Sequence, residues 1–201
     1  MRTRPGFVTV VSGVFLALAV SSAQAQVGKQ APESGNKPIE TFEARAFSVQ
    51  TGQTGRVEIV INRWSTDGER EVLKAVLKAA GSQAMVNEME KMPQVGYIRT
   101  PESMGDALLY ARSNEMPDGS RQVVVATNRP ISVAGSLAPG TAQKYDLSVI
   151  EMRFKKGDKK GEGKMTLAAQ ASIDPKTGNV RLTNYQGMPP VLKDITSKTA
   201  S

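Results

Sequence analysis

Residues 56–101 read RVEIVINRWSTDGEREVLKAVLKAAGSQAMVNEMEKMPQVGYIRTP, and the fold turns on how this stretch divides. Val57, Ile59 and Ile61 alternate with Glu58, Val60 and Asn62, the pattern of a half-buried strand. Thr66 and Glu69 stand at the spacing of a capping box, and Asp67 and Glu69 put negative charge at the positive end of a helix dipole. Val72, Leu73, Val76, Leu77 and Ala80 then recur at helical spacing, opposite Arg70, Lys74 and Lys78. Gly81 ends that helix and Ser82 can cap a second, whose apolar face is Met85, Val86, Met89 and Met92. Pro93 stops it, and residues 95–99 return to strand before Pro101. Strand, helix, helix, strand would open an α/β fold if the unit repeated.

It does not repeat. Residues 107–112 (ALLYAR) and 122–127 (QVVVAT) flank the turn Pro117-Asp118-Gly119, which makes a hairpin. Residues 128–143 form a long irregular loop. In residues 145–154 the apolar face switches between Val149 and Ile150, as at a bulge or where a strand curves between two sheet regions. After the polar turn KKGDKKGEGK, Met165, Leu167, Ala169, Ala171 and Ile173 alternate strictly. A turn at 174–179 leads to a strand at 180–185, and Pro189-Pro190 allows only an edge strand near 191–195. Upstream, residues 42–50 read as a first strand of untidy phase, since Phe42, Ala44 and Ala46 oppose Phe47 and Val49. A bulge or an edge position would explain that.

Short connections imply antiparallel pairing, and a bent or closed sheet hides many edges. The expected fold is therefore mainly β (α+β): a strongly bent antiparallel sheet, or a barrel of eight or nine strands. It carries a two-helix insertion at 66–92 after the second strand. The domain is expected to span 41–196, between a flexible leader at 26–40 and a disordered tail at 197–201.

The first 25 residues predict the compartment. Arg2 and Arg4 precede an apolar run at 7–20, and Ala23-Gln24-Ala25 has the small-x-small pattern of a signal cleavage site. Cleavage after Ala25 would leave 176 of the 201 residues, with formal charge lowered from +7 to +5, and no transmembrane segment would remain. The expected location is periplasmic or extracellular.

Composition excludes much chemistry. With no Cys there are no disulfides. With no His, Ser-His-Asp and Cys-His catalysis drop out, and zinc or copper sites lose their main ligand. Nothing places Glu58, Glu151 or Asp146 at a glycosidase separation, and Gly161-Glu162-Gly163 lacks the helix and third glycine of a phosphate loop. No cofactor, metal or nucleic acid is expected.

Two groups of residues stand out. The amphipathic residues Trp64, Tyr97, Arg99, Tyr110, Arg112, Arg153 and Tyr185 are pocket candidates; of these Tyr97, Arg99, Tyr110, Arg112 and Arg153 would line a polar pocket if they faced a lumen, gripping a carboxylate or phosphate. Lys155, Lys156, Lys159 and Lys160 gather on one hairpin, either as a solvated turn or as a docking point for an anionic surface.

The segments Trp64-Ser65-Thr66-Asp67, Val95-Gly96-Tyr97-Ile98-Arg99-Thr100-Pro101, Ala126-Thr127-Asn128-Arg129-Pro130-Ile131-Ser132 and Ile150-Glu151-Met152-Arg153-Phe154 resemble those of a family of uncharacterised secreted bacterial proteins. The resemblance implies export and a shared fold, and carries over no functional residue. The expected function is an exported, non-catalytic binding protein holding a small amphipathic or anionic ligand in a barrel or sheet–helix pocket. The alternative is an envelope structural or interaction protein that docks through the basic hairpin.

Overall fold

The computed structural model describes residues 37–101, 103–129, 131, 147–158, 160–184 and 188–200. Its elements in chain order are β1 Glu40–Phe47, β2 Thr54–Ile61, α1 Asp67–Met89, β3 Gly96–Arg99, β4 Asp106–Leu108, β5 Tyr110–Glu115, β6 Arg121–Thr127, β7 Leu147–Phe154, β8 Gly161–Ile173, β9 Val180–Asn184 and β10 Val191–Thr199. The strands form one antiparallel sheet in the order β4-β3-β2-β1-β10-β8-β7-β6-β5, and β9 pairs the far half of β8. The described residues are thus mainly β with one helical element.

The barrel is not what forms. The path is open, because β4 and β5 at its two ends are not paired with each other. The run expected as a single strand at 107–112 divides at Leu109. β4 pairs with β3 and β5 pairs with β6, while the Leu109 N–H donates to the Ala126 carbonyl at 3.0 Å. One continuous run therefore supplies both ends of the path, and consecutive residues cannot ladder with each other.

Period-2 alternation fills the concave side. Phe42, Val57, Ile59, Ile61, Ile98, Val123, Val125, Ile150, Met152, Met165, Leu192 and Ile195 belong to one cluster of buried side chains. A second cluster lies on the opposite face, where Leu73, Leu77, Met85, Val86 and Met89 of α1 meet Ala126, Leu147, Val149 and Ala171. The face switch in β7 follows from this. Leu147 and Val149 lie under the helix, whereas Ile150 and Met152 fill the other core.

The strict alternation of β8 conceals a bulge. Leu147 pairs Ala169 but Val149 pairs Thr166, so three residues of β8 oppose two of β7. Met165 and Leu167 therefore face the first core, and Ala171 and Ile173 face the helix. In β1 the bulge lies in the partner strand. Glu43 pairs Thr196 and Arg45 pairs Lys193, and the extra residue, Asp194, has φ 54°. β1 is central rather than an edge, and β10 runs through Thr199 instead of fraying after Thr196.

The helical insertion is one continuous element, Asp67–Met89, in which two helical halves meet at a kink. It is kinked at Gly81, whose φ 83° and ψ −174° are non-helical. The capping box forms as expected. Glu69 N–H donates to Thr66 Oγ1 at 3.2 Å, and Thr66 N–H donates to Glu69 Oε2 at 2.8 Å. Arg63 donates to both Glu69 oxygens at 3.0 and 2.9 Å and to the Pro93 carbonyl at 2.6 Å, tying the helix entry to its exit. Ser82 does not cap a second helix. Its Oγ accepts the Ala171 N–H at 3.0 Å and pins the kink to β8. The buried seam is narrower than the sequence stripe, since Val72 is 45% exposed and Ala80 is exposed.

The Gly81 torsions lie in a region that only glycine occupies at low cost, although a Cβ there would meet nothing within 4 Å. Gly81→Ala is therefore expected to cost about 2 kcal/mol from backbone strain alone. Urea unfolding of the variant checks it, and a loss below about 0.5 kcal/mol would show that the kink relaxes.

Candidate functional site

The second cluster does not fill its space. Under the helix the sheet presents Val124, Ala126, Val149, Ala171 and Leu182, most of them small, and α1 lines the space with Leu73, Leu77, Met85 and Met89. A cleft of about 370 Å³ is left between helix and sheet. Ligand sites start at about 300 Å³, so it suits a small molecule. The methionines give its wall an adaptable surface.

The rim carries charge. Arg70 and Lys74 on the helix and Arg112 on β5 line the cleft, together with Asn114, Glu151 and Asn179. Arg112 donates from Nε to Asn114 Oδ1 at 3.0 Å and pairs with Asp67 at 2.7 Å. Arg70 and Lys74 both reach Glu71, at 3.0 and 3.7 Å. Asp67 and Glu71 are mostly exposed, so each of these pairs contributes less than about 1 kcal/mol and an incoming anion can exchange for it. Tyr110 forms part of the wall. Burial raises its phenol pKa above the ordinary 10.0, which keeps the hydroxyl protonated as a donor.

The sequence-predicted pocket residues separate here. Tyr110 and Arg112 line the cleft. Tyr97 and Arg99 lie on β3, where the Arg99 guanidinium sits 5.6 Å from the Tyr97 ring centre and pairs with Glu58 of β2. That pairing also holds the Arg99 pKa above its ordinary value. Arg153 lies on β7 and donates to Ser120 Oγ at 3.1 Å and to Asp118 at 2.5 Å, bracing the β5–β6 hairpin. Of the hairpin lysines, Lys155 and Lys156 are exposed and Lys160 pairs with Asp194 at 2.9 Å. Lys159, Asp146, Tyr185 and the loop at 132–146 lie outside the described residues.

Sequence reasoning missed the polar group of the first core. Glu40, assigned to the leader, begins β1 and is only 5% exposed. Arg121 of β6 grips both its oxygens at 2.7 and 2.6 Å, donates to Ser113 Oγ at 2.7 Å, and lies 5.9 and 5.8 Å from the Phe42 and Trp64 ring centres. The Ser197 hydroxyl also donates to Glu40. Burial alone would raise the Glu40 pKa, but the Arg121 and Ser197 hydrogen bonds and the Arg121 charge outweigh it and hold it below 4.5. The one available signal was Glu40 at an inward phase with Phe42, which the Pro/Gly-rich leader masked.

Fold and cleft together define a mainly β protein in which helix α1 roofs a small cleft with apolar walls and a mainly cationic rim. No family model, curated protein or solved structure matches the chain, so a functional reading rests on its own residues. Among the described residues no helix is long and apolar enough to cross a membrane.

Proposed function

We propose that the chain is an exported, non-catalytic binding protein that holds a small amphipathic anion in the helix–sheet cleft. The single observation that carries this reading is an apolar cleft with three cations, Arg70, Lys74 and Arg112, on its rim. An acyl or aromatic body fits against Leu77, Met85, Val149 and Leu182, and a carboxylate meets Arg112, whose planar fork suits a two-point grip. Tyr110, a neutral phenol whose pKa burial raises further, adds a donor. Export fits the same reading, since cleavage after Ala25 would start the mature chain at Gln26.

Titration calorimetry with decanoate and decanol tests the cleft. Decanoate is expected to bind at least tenfold more tightly than decanol, and Arg112→Ala to remove about tenfold of the decanoate affinity while leaving decanol unchanged. Equal affinity for the acid and the alcohol would refute the anionic selectivity. No binding of either, with Leu77→Trp also silent, would refute the cleft.

A further inference from the structure

The face of β2, β1 and β10 that turns away from the first core is not covered by the helix, and its charges are arranged unusually. In register, Arg56 of β2 stands directly opposite Arg45 of β1, and Arg45 directly opposite Lys193 of β10. All three are exposed. Like charges opposite each other across a sheet are destabilising, and strands are about 4.8 Å apart, so this row sets three cationic residues across about 10 Å of backbone.

The acids of the next rung, Glu43 opposite Glu58, are also like charges, but each is neutralised by a cation of another strand, Lys198 and Arg99. Among the described residues, every other Arg or Lys on a strand lies within 4.0 Å of a carboxylate, from Arg99 with Glu58 to Lys198 with Glu43. Arg45, Arg56 and Lys193 belong to none of these ion pairs. The neighbouring carboxylates are already engaged: Glu43 by Lys198, Glu58 by Arg99 and Asp194 by Lys160. Glu162, on β8 opposite Arg153, pairs with none of the three. Glu43 feels the charge of Arg56, and Asp194 those of Arg45 and Lys193, but each of these acids is already matched by its own ion pair, so the row remains a net positive charge.

Beside it, Phe47 shares the outward phase of Arg45 and is half-buried, and Val49 in the following turn is 48% exposed. The surface is thus an open face of cations with an apolar border, without a groove and without a set of stacking aromatics. Single-stranded nucleic acid asks for both of those. A flat anionic plane with an apolar interior asks for neither.

We propose that this face docks on an anionic lipid bilayer, with Arg45, Arg56 and Lys193 against lipid phosphates and Val49 at the acyl boundary. The inference goes beyond the cleft and stands without it. It moves the basic docking site from the lysine hairpin to the strand row.

Each cation near an anionic membrane is worth about fivefold in partitioning, so the row supplies about a hundredfold at low salt. Co-sedimentation of the purified full-length protein tests it, with phosphatidylcholine vesicles containing a quarter phosphatidylglycerol and with pure phosphatidylcholine vesicles. Expected are binding to the charged vesicles only, its loss in high salt, and a drop of about a hundredfold for Arg45→Gln/Arg56→Gln/Lys193→Gln. Lys155→Gln/Lys156→Gln should change binding by less than about fivefold. The triple variant removes repulsion, so it should melt no lower than the parent. If it melts lower, the three single variants decide the matter at about fivefold each. Equal binding to neutral vesicles, an unaffected triple variant or a larger loss in the hairpin variant would overturn the proposal. So would complete displacement by millimolar glycerol phosphate, or by an oligonucleotide at charge parity.

Discussion

Gly96→Ala is expected to destabilise the protein by about 4 kcal/mol, a large part of the 5–15 kcal/mol that holds a domain together. A Cβ on Gly96 would lie 1.9 Å from the Val60 carbonyl oxygen and 3.1 Å from the Ile61 Cα. Both are backbone atoms of the paired strand, so no side chain can swing aside. β2 and β3 must separate by more than an ångström, or β3 must leave the sheet. Either motion disturbs Val95, which is fully buried and whose carbonyl accepts from the Asn62 N–H at 2.8 Å and the Arg63 N–H at 3.2 Å. Those contacts close the loop through which the helix returns, so the roof of the cleft loosens with them. Urea unfolding measures the loss, and Gly68→Ala is the control. Gly68 sits in the first turn of the helix with only Thr66 Oγ1 near its would-be Cβ, at 3.9 Å, so alanine there should be neutral or stabilise by less than about 1 kcal/mol. Similar losses at both positions would mean that close approach at Gly96 is not the cause.

The sequence is most legible where one local pattern decides the matter. The T-x-x-E capping box, the Pro-Asp-Gly hairpin and the alternation of Val57, Ile59 and Ile61 all read through to structure, because each depends on neighbours within a few residues. The β8 alternation misleads for a physical reason. A bulge reverses the phase, and the helix makes the other face apolar as well, so the unbroken series from Met165 to Ile173 serves two cores. Spacing alone puts Val72 in the helix stripe, yet it is 45% exposed, while Leu73 and Leu77 carry the helix–sheet contact. The cleft itself was not legible. It is a space between elements, and no residue pattern reports the size of a gap. Tyr110 and Arg112 stand out as amphipathic strand residues, but Arg70 and Lys74 read as a solvated helix face, and only the placement of α1 over the sheet brings them to the cleft.

The Glu40–Arg121 pair is the second site where a large effect is expected. Glu40 stands on β1 and Arg121 on β6, separated by three strands in the hydrogen-bonded order, so their contact spans the concave side of the sheet. Breaking a buried pair costs about 3–5 kcal/mol because a charge is left without its partner. The Arg121 side chain is 33% exposed, which lets water help and puts the expected loss for Arg121→Met near 3 kcal/mol. Glu40→Gln keeps the shape and one acceptor and should lose less. In Glu40→Gln/Arg121→Met no charge is stranded, and the Met can pack where the guanidinium lay near Phe42 and Trp64, so the double variant should be more stable than the sum of the single losses implies. An additive cycle would mean that the two groups act separately. The pH dependence gives an independent reading. Because the folded state holds Glu40 below 4.5, its contribution is fully present above that pH and is lost as pH falls through the lowered value. Other carboxylates with lowered values, among them Glu43, Asp118 and Asp174, titrate in the same range, but they remain in both proteins. The stability difference between the parent and Glu40→Gln therefore isolates Glu40. It should be constant from pH 7 to about 5 and shrink below 4.5, and raising the salt should leave it nearly unchanged, because the pair crosses the core rather than the surface. A difference that persists unchanged to pH 3 would mean that the carboxyl is not charged in the fold, and that the brace is a neutral hydrogen bond.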